Sequence, residues 1–240
     1  MKPTKILFLG MAGAASVMTS QGAAVLINNP SFESPVLASD ANASLASAKP
    51  SGTFEGWSYN MTIGSAFQDF GIENPGGGSY TGATNAGMAL GGDGINVAFL
   101  NQGIDGGFIN IFQDVGVLQP NTIYSLTVGI GQRLDRTNGS ATIALISGTS
   151  GESDAWGNGT ILNSTTGVSA TPGSLEDFVV TFTTGSAVSG NLFVGAQYVG
   201  DGTIQAAVDH FRLDAVVVPE PASAALLGLG LLGLARRRRH

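Results

Sequence analysis

The chain of 240 residues contains no cysteine, and only 11% of its residues are charged. The missing thiol excludes disulfide scaffolds, thiol nucleophiles, zinc–thiolate sites and iron–sulfur clusters together. Basic residues are few, ten against seventeen acids, and the isoelectric point near 4.6 excludes the cationic face that nucleic acid requires. Aromatics make up 8%, so a broad stacking platform is not expected. What is abundant is glycine, 36 residues, about twice the usual ~7%. Glycine plus proline still stays below the roughly 25–30% that marks disordered low-complexity chains, so the expectation is a folded, turn-rich protein.

The basic residues sit mostly at the ends. Lys2 and Lys5 precede an apolar run from Ile6 to Val17, then a polar stretch, then Gly22-Ala23-Ala24. This is the three-part pattern of a secretory signal peptide, expected to be a helix cut by signal peptidase between Ala24 and Val25. The alternative, a membrane anchor, is disfavoured: twelve apolar residues reach roughly 18 Å of helix, short of the ~30 Å hydrocarbon core.

At the other end Val218-Pro219-Glu220-Pro221 leads into Ala222–Ala235, in which Ser223 is the one polar side chain, and then into Arg236, Arg237, Arg238, Arg239 and His240. Arginines behind a short apolar segment hold that end in the cytoplasm and leave the preceding chain outside. A helix of about 21 Å is a thin span, suited to temporary retention. These 23 residues resemble the PEP-CTERM sorting signal of Gram-negative, exopolysaccharide-producing bacteria. The resemblance implies an exosortase-type transpeptidase that recognises Pro219-Glu220-Pro221, removes the transient transmembrane helix, and passes the protein to the cell envelope or extracellular matrix.

Between the ends, residues 25–217 carry four basic and sixteen acidic residues, a net charge near −12. Tyr124, Leu126, Val128 and Ile130 alternate with small or polar residues, the period of two expected of a half-buried strand. The same alternation occurs at Ile143 and Leu145, at Phe178, Val180 and Phe182, and at Leu192, Val194, Ala196 and Tyr198. Residues 96–100, 108–115 and 204–213 also read as strands. About ten strands separated by Gly/Asn/Asp turns predict an all-β fold, an antiparallel β-sandwich or jelly roll spanning 25–217. Residues 38–53 and 74–94, rich in Ala, Ser, Gly and Asn, read as long loops suited to displaying binding groups. No Gly-Lys-Ser/Thr follows their glycines, so phosphate binding is not expected.

Several short motifs fall in a consistent order: Ile27-Asn28-Asn29-Pro30-Ser31-Phe32-Glu33, Gly56-Trp57, Ile111-Phe112-Gln113-Asp114-Val115, residues 118–128, and Ala207-Val208-Asp209-His210-Phe211-Arg212-Leu213. Together they resemble the galactose-binding-like jelly rolls of carbohydrate-binding modules and secreted bacterial proteins. That resemblance implies a structural calcium ion held by Glu33 and Asp209 where the first and last strands meet; the alternative is that both carboxylates cap local amides. An acidic secreted domain bathed in millimolar calcium could fill such a site.

A sugar presents an apolar C–H face and a rim of hydroxyls, so aromatic residues flanked by amides and carboxylates are the natural candidates. They are Trp156 with Asp154 in the polar segment 151–158, Tyr59, Tyr80 and Tyr198; Trp57, after Gly56, reads rather as a core plug. Trp156 could equally pack on the sandwich edge. Without the terminal histidine, His210 is the only imidazole, and no Gly-x-Ser-x-Gly elbow is present, so a serine triad has no basis. The expectation is a noncatalytic, glycan-associated module. Its alternatives are a structural exopolysaccharide matrix protein without sugar recognition and a polysaccharide hydrolase using two carboxylates.

Overall fold

The computed structural model describes residues 22–44, 51–64, 68–75, 78–81, 92–135, 139–200 and 205–218. The expected signal-peptide helix, the Pro219-Glu220-Pro221 tripeptide, the apolar tail and Arg236 to Arg239 lie outside them. Among the described residues no helix is long and apolar enough to cross a membrane.

The strands are β1 (Ala23–Val25), β2 (Asn42–Ser44), β3 (Ser51–Phe54), β4 (Trp57–Met61), β5 (Gln68–Glu73), β6 (Val97–Gln102) and β7 (Phe108–Val117). They continue with β8 (Thr122–Gln132), β9 (Ala141–Gly148), β10 (Thr160–Gly167), β11 (Ser174–Thr183), β12 (Asn191–Val199) and β13 (Gln205–Val217), with a single helical turn, α1 (Ala155–Asn158), before β10. Every pairing is antiparallel. One sheet runs β11-β8-β13-β6-β5-β2, with β1 added beside the second half of β13; the other runs β10-β9-β12-β7-β4-β3. The expected sandwich is therefore present, and the segment 38–53 read from sequence as a loop contains the short strand β2 and most of β3.

The alternating residues do what their spacing predicts. Leu126, Val128, Ile130, Ile143, Leu145, Val194, Ala196 and Tyr198 are buried between the sheets. Trp57 is fully buried, with its ring centroid 4.6 Å from Phe211 and 5.3 Å from Phe32, and its Nε1 donates to the Asn29 carbonyl at 3.1 Å. This aromatic knot ties the leading segment to β4 and β13. It also fixes an irregularity: β13 shifts register between Asp209 and Arg212, His210 adopts φ +53°, and the Phe211 amide turns away to donate to Pro30. Such a bulge re-aims the neighbouring side chains.

The expected signal-peptidase cut falls inside β1. A chain beginning at Val25 keeps the Val25↔Leu213 pair and loses Ala23↔Ala215 and Ala24↔Asp214.

Candidate binding cleft

The outer face of the β13-containing sheet is hollowed into a polar cleft of about 300 Å³, lined in part by Asn42, Ser44, Asp69, Asn101, Arg133 and Gln205. Its floor is kept low by small residues. Gly71 lies under the Phe99 ring, where a Cβ would stand 2.2 Å from Phe99 Cζ and 2.7 Å from Ser44 Cβ. Register places Asp69, Asn101 and Gln205 side by side on β5, β6 and β13. Asn101 Nδ2 donates to Asp69 Oδ1 at 2.6 Å, while Asn101 Oδ1 and Gln205 Oε1 are buried with no hydrogen-bond partner among the described residues. Unpaired buried acceptors are costly in a folded chain.

Arg133 closes one side. Its Nη1 is 2.8 Å from the Glu73 carboxylate, Nε donates to Asp135 at 2.8 Å, and Nη2 donates to Ser79 Oγ at 2.7 Å. Burial alone would lower the guanidinium pKa; the hydrogen bond to Asp135 and the charges of Glu73 and Asp135 outweigh it and raise the pKa above its ordinary value. Beside this network Tyr80 packs with Val97, Leu175 and Ala207, fully buried, its hydroxyl unpartnered among the described residues. Burial first, then the Glu73 charge, push its phenol well above the usual range.

The residues singled out from sequence fall into three places. Tyr59 and Tyr198 lie in the core and Tyr80 under its loop, so these three rings have no solvent-facing surface on which a sugar could stack. Trp156 packs partly buried against Phe112, Ala144, Ile146 and Phe193 on the opposite sheet, its Nε1 donating to Ile111 at 3.3 Å. Asp154 caps α1, accepting from the Gly157 amide at 2.8 Å. Trp156 and Asp154 thus share a loop but are remote in the fold from the polar cleft.

Glu33 and Asp209 do approach each other near the β13 bulge. Glu33 Oε1 accepts the Ile95 and Asn96 amides at 2.9 and 2.8 Å; Asp209 accepts Asp93 N at 2.9 Å and His210 N at 2.7 Å. Ser31 Oγ donates to Asp93 at 2.8 Å. Asp209 is fully buried, and desolvation raises its pKa well above the ordinary carboxylate value; the two amides oppose this, and Glu33 and Asp93 add to it. Among the described residues no group of three or more Asp, Glu or His side chains is arranged to hold a metal ion. The geometry here is that of carboxylates capping amides.

Sequence reasoning missed the Asp69–Asn101–Gln205 row because it exists only through the register of three strands distant in the chain. A second hollow, about 420 Å³ and largely apolar, lies between residues 24–27 and 211–214, next to the expected signal cut.

A two-sheet jelly roll with a concave polar face, followed by a sorting tail, defines an exported β-sandwich protein. The chain belongs to the HpiC1-like family: the family model described as HpiC1 cyclase matches residues 23–214. The PEP-CTERM protein-sorting motif matches residues 217–239, which marks the chain for export toward the cell surface of a Gram-negative bacterium. Among solved structures, a cyclase from Fischerella sp. TAU is similar at 19% identity and TM-score 0.62, covering 83% of this chain and all of that one. The apo form of a Fischerella sp. cyclase matches at 21% identity and TM-score 0.60, covering 83% and 98%. A cyclase from Fischerella sp. TAU in complex with 4-(1H-indol-3-yl)butan-2-one matches at 20% identity and TM-score 0.59, covering 82% and 100%. Carbohydrate-binding modules match more loosely, among them TmCBM61 in complex with β-1,4-galactotriose at 14% identity and TM-score 0.42, covering 78% and 95%. No curated protein matches. A family named for a cyclase removes the ground for excluding enzymatic activity.

Proposed function

We propose that this chain is an exosortase-processed protein of the envelope or extracellular matrix whose concave cleft holds a hydroxyl-rich ligand, a glycan, without turning it over. The observation that carries this reading is the acceptor row of Asp69, Asn101 and Gln205 in a polar cleft, with two amide oxygens unpaired among the described residues. Polyol hydroxyls supply the missing donors; a flat apolar substrate would leave these oxygens buried and unpaired. A glycan array followed by calorimetric titration tests it. Saturable, sugar-competable binding should weaken about tenfold in Asn101→Leu or Gln205→Leu, the loss of one hydrogen bond plus its desolvation. Association that depends on salt and ignores sugar identity would instead favour the structural-matrix alternative. Loss in Trp156→Ala with the cleft variants unaffected would move the site to the loop at 151–158.

A second reading, acid chemistry on a small molecule, is favoured by the buried carboxyl of Asp209, whose pKa desolvation raises, together with the family assignment. The indole ligand of the Fischerella cyclase separates the two. A saturable thermal shift with 4-(1H-indol-3-yl)butan-2-one, lost in Asp209→Asn, would support the enzyme; glycan binding without any indole response supports the module.

Calcium at Glu33 and Asp209 is the remaining part of the proposal, and binding it requires these carboxylates to give up the amides they cap, since no three acidic side chains are grouped to hold an ion among the described residues. The folded state holds the Asp209 proton more tightly than the unfolded state does. This group's contribution is therefore present below the unfolded carboxylate pKa and is lost as pH rises through the raised folded value. In EDTA, thermal stability should fall from pH 4 toward pH 8, and Asp209→Asn should flatten the profile. Millimolar calcium should restore stability at pH 8 more than at pH 4; identical melting in EDTA and calcium at pH 8 would exclude the ion.

A further inference from the structure

The fold and the sorting tail meet without a spacer. The sorting motif begins at Val217, which is also the last residue of β13. Val217 is paired with Thr122, and the Val218 amide donates to the Asn121 carbonyl at 2.6 Å, so the chain is fixed to the sandwich as far as Val218. Pro219 has no amide hydrogen with which to extend the ladder. From Val218 to Ala222, the first residue of the apolar run, is four residues, at most about 14 Å of extended chain. The headgroup layer on each side of a bilayer is roughly 5–8 Å thick. With the apolar run in the membrane and β13 intact, this end of the sandwich is pressed against the lipid headgroups.

The surface at that end suits such contact. Val117 and Val217 are 65% and 58% exposed, and Ile123 and Val218 are exposed beside them. The last pair of β7 with β12, Val117↔Asn191, and the first of β8 with β13, Thr122↔Val217, bring these residues to the same end. The turns between them are stitched together by Thr184, whose Oγ1 donates to Gln119 O at 2.7 Å and accepts the Thr122 amide at 2.8 Å. Residues 115–125, 178–200 and 215–218 contain no Asp, Glu, Lys or Arg, in a domain whose net charge is near −12. The neighbouring acids lie outside these stretches, and Asp114 is occupied by Asn191 Nδ2 at 2.8 Å and by the Gly116 amide. An acidic domain is repelled by anionic lipid, and an uncharged, valine-rich end is the part of it that can approach.

We propose that the end of the sandwich formed by the β7–β8 turn, the β11–β12 turn and the terminus of β13 is a membrane-contact surface, seated on the lipid headgroups while the sorting tail is in place. The proposal rests on the tail's transient insertion, as in the function proposed above. Because the chain has no cysteine, single reporters can be placed cleanly. Full-length Val117→Cys, Ile123→Cys and Gln119→Cys variants, labelled with an environment-sensitive fluorophore, are reconstituted into phosphatidylethanolamine/phosphatidylglycerol vesicles containing nitroxide lipid. Asp105→Cys, on the turn at the opposite end of β7, is the reference. Quenching at 117, 119 and 123 should exceed that at 105 by at least about threefold, with melting temperatures unchanged. Protein that floats with the vesicles but is quenched equally at all four positions would overturn the contact surface and leave insertion standing. Protein that fails to float would overturn insertion itself and the contact with it.

Discussion

Replacing Trp57 by alanine should destabilise the domain by about 3–5 kcal/mol, the range for emptying a fully buried large aromatic site. The indole has no solvent exposure, contacts the rings of Phe32 and Phe211, and donates to the Asn29 carbonyl. Truncation removes apolar burial, two ring contacts and the donor for that carbonyl at once. The surroundings have little freedom to collapse, because Phe32 is held at φ +55° and Phe211 sits at the β13 bulge. For a domain of this size each kcal/mol is worth roughly 2–4 °C, so the melting temperature should fall by about 6–20 °C. Urea unfolding measures the same quantity, and a loss below about 1 kcal/mol would mean that the knot is not tight. The variant should also lose the ordered approach of Glu33 to Asp209, since the segment carrying Glu33 is anchored through this indole.

Arg133→Leu is expected to cost a similar amount, about 3–5 kcal/mol, for the opposite chemical reason. Arg133 and Glu73 have side chains only 11% and 14% exposed, and the guanidinium also holds Asp135 and Ser79. Leucine fills much of the volume but leaves the Glu73 and Asp135 carboxylates without this countercharge in a partly dry setting. Arg133→Lys should recover only part of the loss, because an ammonium cannot reproduce the planar fork that binds two carboxylates and a hydroxyl together. Chemical denaturation of the three proteins at one pH gives the comparison. Equal stability of the leucine variant and the parent would show that the network contributes nothing net. The same substitution opens one side of the cleft, so weakened glycan binding should accompany the loss of stability.

How far the sequence discloses these features depends on whether they are local. Alternation at Tyr124–Ile130 and Leu192–Tyr198 is a property of consecutive residues, and both runs are strands with the expected face inward. The Gly56-Trp57 pair likewise announces a buried indole after a turn, with Gly56 at φ +91°. Tyr59 and Tyr80 show the limit. Tyr59 follows Trp57 at the strand period and shares its inward face, while Tyr80 is covered because Gly131 leaves room for its ring. The short strands β2 and β3 lack β-branched apolar residues and are strands only because β5 and β4 offer them edges. The polar cleft has no local counterpart in the sequence, since its lining is assembled from β2, β5, β6, β13 and Arg133, just past the end of β8.

The position of β13 bears on how such a protein can be exported. It lies inside its sheet, bonded to β8 along one side and to β6 and then β1 along the other. Until those residues are available, β8 and β6 each present an unfilled edge, and the aromatic knot lacks Phe211. A chain that crosses a membrane as an extended thread thus stays unable to close its sandwich until nearly all of it is through. Long-range closure of this kind folds slowly as a rule, and a chain threaded N-terminus first would reach that closure only with its last strand.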